Sequence, residues 1–444
     1  MKTLPPLQTP LKEPADTPDR GGLPPGDILD AGWLKALAMQ CGADAAGLVE
    51  PGREALKGDA AAFATLLPGA GTVVALAVRV NPEALRTPWM GVANREAGFA
   101  SKAVDDAASE LSRRLMGLGV RSVAVQGAFP MDAQKWPGKM WAIAHKILAE
   151  QAGLGRMGHH RLLIHPVFGT AVLLSAVLLD RRASGYDAPL AQNPCNGCKL
   201  CVAACPTGAI AADGSFSLVN CATHNYRYRL GGFNDWVENV VESRDRSAYR
   251  KRVPGEETVS MWQALAYGTN YTCLNCLAVC PAGTACAPGP EAPRGKALVD
   301  LLQQRGGSIF VLKGSDAEAH AERSFPPERI RRVRSGNRVA SARAFLQALP
   351  VVFQPGRAEG LDARFHFDFT GADPCRGTVV IRGGKLQVTP GLEGRPDLVV
   401  TADGPTWTAY LAGEARLLPA LLRRRIRIKG APSLLKAFSR CFPG

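Results

Sequence analysis

One short run of cysteines constrains the fold of this chain more than any other feature of its 444 residues. Residues 195–206 read CNGCKLCVAACP, with the spacing C-x2-C-x2-C-x3-C-P. Three thiolates at this spacing wrap around one 4Fe-4S cubane, whereas the fourth cysteine of such a run binds a different cluster. The run therefore predicts a helix that begins at Cys205 and leads to a second cluster.

Four more cysteines complete the ligands of two clusters. Cys221 stands alone in LVNCATHN, and YTCLNCLAVCP supplies the other three. We assign the eight cysteines to two groups. The first thiol group consists of Cys195, Cys198, Cys201 and Cys280. The second thiol group consists of Cys205, Cys221, Cys273 and Cys276. Paired C-x-x-C elements also fit zinc, but a third cysteine at x2 spacing and a C-P close to both runs favour iron-sulfur clusters.

The other four cysteines have no ligand spacing and are interpreted as structural: Cys41, Cys286, Cys375 and Cys441. Only Cys286 is near enough to be a reserve ligand. The Pro-rich segment 1–30 has neither an apolar core nor a twin-Arg pair, so it is interpreted as a flexible tail rather than an export signal. No apolar stretch approaches the roughly 20 residues of a membrane span. We therefore expect a cytoplasmic protein whose cysteines bind metal rather than form disulfides.

The formal net charge of +14 is concentrated late in the chain, at 326–343 and 421–430. Such runs can mark a nucleic-acid partner or an acidic membrane surface. Neither run has the interleaved aromatic residues of a single-strand groove. A solvated basic surface is the interpretation adopted at this point.

The stretch AEQAGLGRMGHH (149–160) contains the pattern G-x-G-x-x-G of dinucleotide-binding loops. That fingerprint needs a strand before it and a helix after it. Here the order is reversed, because 139–151 has helical spacing and both RLLIHPVFG and TAVLLSAVLL are predicted strands. The glycines therefore end a helix, with Gly153 in the left-handed conformation.

Upstream of this loop, strands are predicted at 72–80 and 121–127, with a helix at 100–119 between them. Alternating strands and helices predict a layered sheet, and hence an α/β domain over 31–190. A ferredoxin-type two-cluster domain follows over 191–290, and a basic linker over 291–340.

In the order of the motifs and in their amino-acid sequences, residues 30–285 resemble the epoxyqueuosine reductase and reductive dehalogenase superfamily. The resemblance rests on AEQAGLGRMGHHRLLIHPVFG, the run CNGCKLCVAACPTGAI, the lone cysteine and CLNCLAVCP. It implies a nitroreductase-like α/β domain that holds a base-off cobalamin beside the glycine loop. The residues that would let the corrinoid approach are Gly153, Leu154, Gly155 and Gly158. A purely structural helix stop is the alternative.

The resemblance also implies a proton donor above the corrinoid. Epoxyqueuosine reductases carry an Asp ten residues before the A-E of the loop, where this chain has Lys139. Reductive dehalogenases use a Tyr beside a basic residue, and this stretch has no Tyr. We rank Asp132 first and Lys139 second as catalytic candidates, with His159 first among the nearby histidines. Ordinary surface or structural roles are the alternative for all three.

Residues 341–444 predict a separate α+β domain. ARFHFDFTG places Phe365, Phe367 and Phe369 on one face of a strand, and a hairpin turns at Gly383–Gly384. The order of elements resembles the sterol-carrier-protein fold. That resemblance implies a hydrophobic tunnel for a fatty-acyl, sterol or other apolar ligand. A small structural or dimerising domain without a ligand is the alternative.

These patterns favour a cobalamin-dependent iron-sulfur reductase that acts on an apolar substrate and takes electrons from a low-potential ferredoxin or flavodoxin. An electron-transfer or reactivating protein for a partner corrinoid enzyme or oxygenase is the second hypothesis. A tRNA epoxyqueuosine reductase is the third, and tRNA ranks below an apolar ligand as partner.

Overall fold

The computed structural model describes residues 28–127, 129–268, 273–284, 292–371 and 373–444. Most of the predicted tail and Cys286 lie outside these residues. No helix within them is both long and apolar enough to span a bilayer.

The N-terminal part is built on a four-stranded sheet of order β1-β2-β6-β3, in which every neighbouring pair is antiparallel. Its elements are α1 (Ala31–Gln40), β1 (Ala45–Val49), α2 (Ala60–Leu66), β2 (Thr72–Arg79), α3 (Pro82–Arg86), α4 (Met90–Gly117), β3 (Ser122–Val125), α5 (His145–Gln151), β4 (Arg156–Met157), β5 (Leu163–Ile164) and β6 (Val172–Leu179). Because β6 lies between β2 and β3, the strands on either side of it are parallel to each other.

Helices cover both faces of this sheet, as the sequence predicted. Leu34 of α1 and Leu111 of α4 pack on one face, and Phe63 of α2 and Leu148 of α5 pack on the other. β2 is therefore buried along nearly its whole length, which explains its unbroken apolar sequence. The long helix α4 begins ten residues before its predicted start, since its first turns also bury Ala93.

Two predicted elements around the glycine loop are shorter than expected. The helix begins at His145 rather than near Met140, because the Asp59 carboxylate accepts a hydrogen bond from the Ala144 amide at 2.8 Å. The strand predicted in RLLIHPVFG is only β5, because the chain turns back at a bridge between His165 and Gly169. Residues 131–144 are thereby free to form a wall of the cavity described below.

The cysteine-rich part is helical and ends in a small parallel sheet of β7 and β8. Its elements are α6 (Leu200–Ala203), α7 (Leu218–Asn225), α8 (Leu230–Val241), α9 (Arg246–Arg252), α10 (Gly255–Tyr267), α11 (Asn275–Val279), α12 (Gly295–Gln304), β7 (Ile309–Leu312), α13 (Asp316–Ser324) and β8 (Ile330–Val333). Cys205 follows α6 instead of beginning a helix, which corrects the prediction for that residue.

The segment 291–340, predicted as a basic linker, is folded wherever it is described. Leu298 and Leu302 of α12 pack in one core with Cys201 and Cys205, and β7 and α13 share a core of their own. The abundance of arginine in this segment concealed the apolar periodicity that drives its folding.

The C-terminal part has a five-stranded sheet of order β11-β10-β9-β12-β13, in which only the β9–β12 pair is parallel. Its elements are α14 (Ala342–Val352), β9 (Ala363–Thr370), β10 (Cys375–Arg382), β11 (Lys385–Pro390), β12 (Leu398–Asp403), α15 (Gly404–Leu411), α16 (Leu417–Leu422), β13 (Ile426–Gly430) and α17 (Pro432–Arg440). The predicted hairpin at Gly383–Gly384 is confirmed. Phe365, Phe367 and Phe369 all lie on the buried face of β9.

Candidate functional site

The first thiol group surrounds a single small void. Its four cysteines all line this void, together with His159 and His160. The loop that carries Cys195 and Cys198 is shaped by asparagine turns, because the side chains of Asn193 and Asn196 accept hydrogen bonds from the two cysteine amides at 2.9 and 3.1 Å. Four free thiols around one void are the donor set that a 4Fe-4S cubane requires.

The second thiol group lies where α7 and α11 meet the end of α6. Cys221 is in α7, Cys276 is in α11, and the Cys273 amide donates to the side chain of Asn225 at the end of α7 at 2.8 Å. The Asn275 side chain donates to the Ala204 carbonyl at 3.3 Å and so joins α11 to the residue before Cys205. The structure thus brings together the four cysteines of this group although they span 72 positions of sequence.

Burial and neighbouring cysteines raise the pKa of a thiol in each group. Burial, and then the neighbouring cysteines of its group, raise the pKa of Cys201 to about 11. The same two causes raise the pKa of Cys221 to about 12. Thiols in such surroundings become thiolate ligands when a metal centre binds and compensates their charge.

A largely apolar cavity of about 440 Å³ opens beside the second thiol group. Its walls come from residues 131–147, from 218–232 on α7 and the start of α8, and from 333–337 after β8. Trp136, Met140 and Trp141 are among its large apolar side chains, and Ala222, the neighbour of Cys221, is also exposed to it. A cavity of this size and character is typical of a small-molecule or cofactor site.

The titratable side chains of the cavity are few, and they converge from different elements: His145, Lys146, Tyr226, Arg227 and Arg334. Burial raises the pKa of Tyr226, and the nearby Cys221 thiol raises it further. Burial lowers the pKa of Lys146, while the nearby Cys221 and Cys276 thiols oppose that effect. The same two side chains therefore face both the cavity and the second thiol group.

Arg227 joins this cavity to a second, polar one of about 340 Å³, lined by acidic and arginine side chains. The Arg227 side chain is only 3% exposed and pairs with Asp235 at 2.7 Å and with Glu257 at 2.5 Å. Arg334 also contacts Asp235, at 3.2 Å. This buried ion network fixes the end of α7 against β8 and the segment that follows it.

The two candidate proton donors Asp132 and Lys139 do not line the apolar cavity. Asp132 caps a short turn, accepting from the Gln134 amide at 3.1 Å, and its side chain is half exposed beside Lys135. Lys139 forms an ion pair with the buried Asp59, which also holds the start of α5. These local contacts hold both side chains away from the cavity, and the roles of Asp132 and Lys139 as proton donors stay predictions.

The histidines near the loop divide between two places. His159 lies at the first thiol group, where its Nε2 is 2.8 Å from the Ala211 carbonyl and its Nδ1 is 3.1 Å from the Lys199 amine. It is therefore not a cavity residue either. His145 does line the cavity, and its Nε2 lies 3.0 Å from the Val125 carbonyl. Burial lowers the pKa of His145, so the ring is neutral at physiological pH.

His160 is buried, at 4% exposure, against the void of the first thiol group. Its Nδ1 accepts from the Leu162 amide at 3.1 Å, so the neutral ring carries its proton on Nε2. That Nε2 has no hydrogen-bond partner among the described residues. Burial, and then His159 and Lys146, lower the pKa of His160 to about 4. A neutral N–H donor in this position suits an acceptor sulfur in the void.

The glycine loop ends helix α5 as predicted. Gly153 has φ +72°. Its amide donates to the backbone carbonyl of Glu150 at 3.2 Å, and the Leu154 amide donates to the backbone carbonyl of Ala149 at 2.9 Å. These two bonds define a Schellman motif. A Cβ at Gly155 or Gly158 would collide with Ile164, so both glycines are needed for packing against β5. Only Met157 of this loop lines the apolar cavity. Contact of Gly153, Leu154, Gly155 and Gly158 with a corrinoid stays a prediction.

Tyr226 and Lys146 were not among the catalytic residues predicted from the sequence. Lys146 lies far in sequence from the cysteines of the second thiol group, to which it is close in space. The run YRYRL at 226–230, directly after the Cys221 helix, could have indicated Tyr226. It combines aromatic and basic side chains beside a cluster ligand.

Comparison with known families places two parts of the chain. Residues 350–443 match the family model of the SCP-2 sterol transfer family, and residues 192–211 match that of the 4Fe-4S binding domain. These matches agree with the two domains that the sequence predicted at those positions.

The chain is also similar to named reductases. It is 35% identical over 82 residues to the epoxyqueuosine reductase of Aliivibrio fischeri. The aligned region covers 18% of this chain and 22% of that protein. The match thus spans about a fifth of the relative's length. An epoxyqueuosine reductase solved with a modified tRNA stem loop aligns with a TM-score of 0.37 at 18% identity, covering 60% of this chain and 68% of that one.

A reductive dehalogenase whose structure suggests a mechanism for B12-dependent dehalogenation aligns with a TM-score of 0.38 at 16% identity, covering 58% of this chain and 40% of that one. The predicted resemblance to epoxyqueuosine reductases, joined to a sterol-carrier-type domain, is confirmed by the matched family models and the relative together.

Proposed function

We propose that this protein is an iron-sulfur reductase with two 4Fe-4S clusters, which binds cobalamin at the open side of its apolar cavity and reduces an apolar substrate there. The observation that carries the proposal is the position of the cavity, which shares a wall with the helix that holds Cys221. A plain electron carrier has no need of an apolar cavity of about 440 Å³ next to its buried cluster.

The positions of the two thiol groups favour one direction of electron transfer. Cys198 in the first group is exposed, whereas Ala222 beside Cys221 in the second lines the cavity. Electrons from a low-potential ferredoxin or flavodoxin would enter at the first cluster and leave from the second. When bound, cobalamin supplies two-electron reducing chemistry at the substrate, which single-electron clusters cannot supply alone.

Tyr226 is the proton donor that this geometry favours, in place of Asp132 and Lys139. Its hydroxyl is protonated at neutral pH because burial raises its pKa, and Lys146 and Arg227 line the same cavity. Replacing a halogen by hydrogen consumes two electrons and one proton and releases halide. Removing an epoxide oxygen consumes two electrons and two protons and releases water. Both reactions need a proton source at the substrate, and Tyr226 supplies one.

Cobalamin binding tests the cavity directly. Anaerobic titration of the cluster-loaded protein with cobalamin is expected to saturate at one equivalent, with a base-off visible spectrum. Ile147 lines the cavity and is also partly exposed, so Ile147→Trp narrows the site without overfilling a core. We expect this change to weaken binding roughly tenfold or more, since misfitting bulk costs about 1–3 kcal/mol.

Val241→Trp is the matched control, because Val241 is exposed on α8 and does not line the cavity. Its affinity for cobalamin should equal that of the unaltered protein. Failure of the unaltered protein to bind cobalamin, with both clusters present, would instead support the electron-carrier hypothesis.

The role of Tyr226 is tested with a brominated phenol as probe and a chemical reductant as electron source. Bromide release by Tyr226→Phe is expected to fall by about 10²-fold or more, the usual contribution of a positioned proton donor. Cobalamin binding should be retained. Tyr249→Phe is the control, since the Tyr249 hydroxyl bonds to Thr258 and Trp236 away from the cavity. Equal rates for Tyr226→Phe and Tyr249→Phe would remove Tyr226 from the proposal.

The C-terminal domain supports an apolar substrate, since it matches the sterol transfer family. Its core is an aromatic cluster in which Phe345, Phe367 and Trp407 have ring centroids 5.3–6.0 Å apart. The Trp407 indole nitrogen in this core has no hydrogen-bond partner among the described residues. An apolar ligand with one acceptor group would satisfy that nitrogen.

Sequence similarity to epoxyqueuosine reductases favours a second candidate substrate, epoxyqueuosine in tRNA. The queuosine content of tRNA in a strain that lacks this gene decides between the two. Unchanged queuosine would support the apolar substrate, and its loss would establish the tRNA activity.

A further inference from the structure

The short helix α16 leaves an apolar stripe outside the C-terminal core. Leu417 and Leu421 pack against that core, and Ala420 is buried in it. Leu418 and Leu422, one turn apart on the opposite face, are 67% and 77% exposed. Two leucines side by side at such exposure on a structured surface indicate a contact with something outside the chain.

Exposed arginines border this stripe at both ends of the helix. Arg416 precedes α16, and Arg423, Arg424 and Arg425 follow Leu422 directly. We call Leu418, Leu422 and these four arginines the α16 face. From Leu411 to Gly430 the chain has six cationic side chains and one acidic one, Glu414.

Within the described part of the chain, the arginines of the α16 face are not neutralised by carboxylates. On β10 of the same domain, Arg376 and Arg382 pair with Asp368 and Asp362, at 2.9 and 2.8 Å. No such carboxylate partner lies at ion-pair distance from the four arginines of the α16 face among the described residues. The face therefore combines exposed apolar area with uncompensated positive charge.

We propose that the α16 face docks this protein on a bilayer that contains anionic lipid. Leucines beside arginines are the composition of interfacial helices, in which the apolar side chains enter the acyl boundary and the cations meet anionic headgroups. Each arginine near such a surface strengthens binding roughly fivefold. The docking surface is independent of the proposed reductase activity, because it rests on the C-terminal domain alone.

Exposed leucines favour lipid over nucleic acid as the occupant. Contacts to phosphates in RNA need cations but gain nothing from two unshielded aliphatic side chains, and the α16 face has no aromatic side chain on which a base could stack. A bilayer with anionic lipid can contact both the leucines and the arginines of the α16 face.

The test is co-sedimentation of the purified full chain with vesicles, either of phosphatidylcholine alone or of an equimolar mixture with phosphatidylglycerol. We expect binding to the mixed vesicles only, weakened by added salt because the attraction is screened. The double variant R423Q/R424Q should bind roughly thirtyfold more weakly. L418Q/L422Q should also bind more weakly, which pure charge attraction does not predict.

R376Q/R382Q is the matched control, since it removes the same net charge from the exposed surface of the same domain. It should bind like the unaltered protein. Three results would overturn the proposal: no binding to the mixed vesicles, equal weakening by both arginine pairs, or binding of an RNA stem loop that depends on Arg423 and Arg424 but not on the leucines. A change in oligomeric mass caused only by L418Q/L422Q, without loss of vesicle binding, would likewise assign the leucines to a contact between copies.

Discussion

Replacing Cys201 by alanine is expected to lower the iron content from about eight to about four atoms per chain, and Cys276→Ala should do the same. The two cysteines belong to different thiol groups, so each variant loses a different cluster and retains the other. Iron and acid-labile sulfide analysis of the anaerobically reconstituted protein measures the loss. Electron paramagnetic resonance of the reduced variants should then show one cluster each, with different spectra.

Cys41→Ala is the control for this pair, since Cys41 packs beside the N-terminal core, far in sequence from either group. It should keep the full iron content. Full iron in both ligand variants would defeat the assignment, and the loss of all iron from each would show that the two clusters assemble only together.

Arg227→Ala is expected to destabilise the cysteine-rich part by about 3–5 kcal/mol, the usual effect of removing one partner from a buried ion pair. The change leaves the carboxylates of Asp235 and Glu257, which are 2% and 5% exposed, without their principal cation. Urea unfolding followed by cluster absorbance reports on this part of the chain alone, which matters because a chain of several domains has no single unfolding transition.

Arg376→Ala provides the comparison, because its pair with Asp368 is at the surface and contributes only about 0–1 kcal/mol. If Arg227→Ala unfolds at the same urea concentration as Arg376→Ala, the buried network is not what holds α7 against β8. The same variant should also bind cobalamin more weakly, since Arg227 lines the apolar cavity.

Features encoded by local spacing were predictable from the sequence. The cysteine run at 195–205, the helix stop at Gly153 and the hairpin at Gly383–Gly384 each depend on a few neighbouring residues. The cavity was not predictable in this way. Its walls come from three segments that are about 70 to 200 positions apart in the sequence. Tyr226 therefore cannot be found by counting residues from the glycine loop.

Two differences between the predicted and the observed arrangement share a physical cause. Asp132 and Lys139 were predicted from their position in the chain, whereas a capped turn and a buried partner, Asp59, decide where their side chains lie. In 291–340 the arginines dominate the composition, whereas a few apolar residues such as Leu302 and Val311 determine the fold. In both cases tertiary contacts outweigh the local pattern.

Residues 333–337 line the apolar cavity and lead directly into α14 of the C-terminal domain. A Cβ at Gly336 would lie within 1.8 Å of the Gly231 carbonyl oxygen, so this strap is pressed against the start of α8. The sterol-carrier-type domain is therefore continuous in the chain with one wall of the cavity. A cut ahead of residue 333 would remove that wall together with the domain.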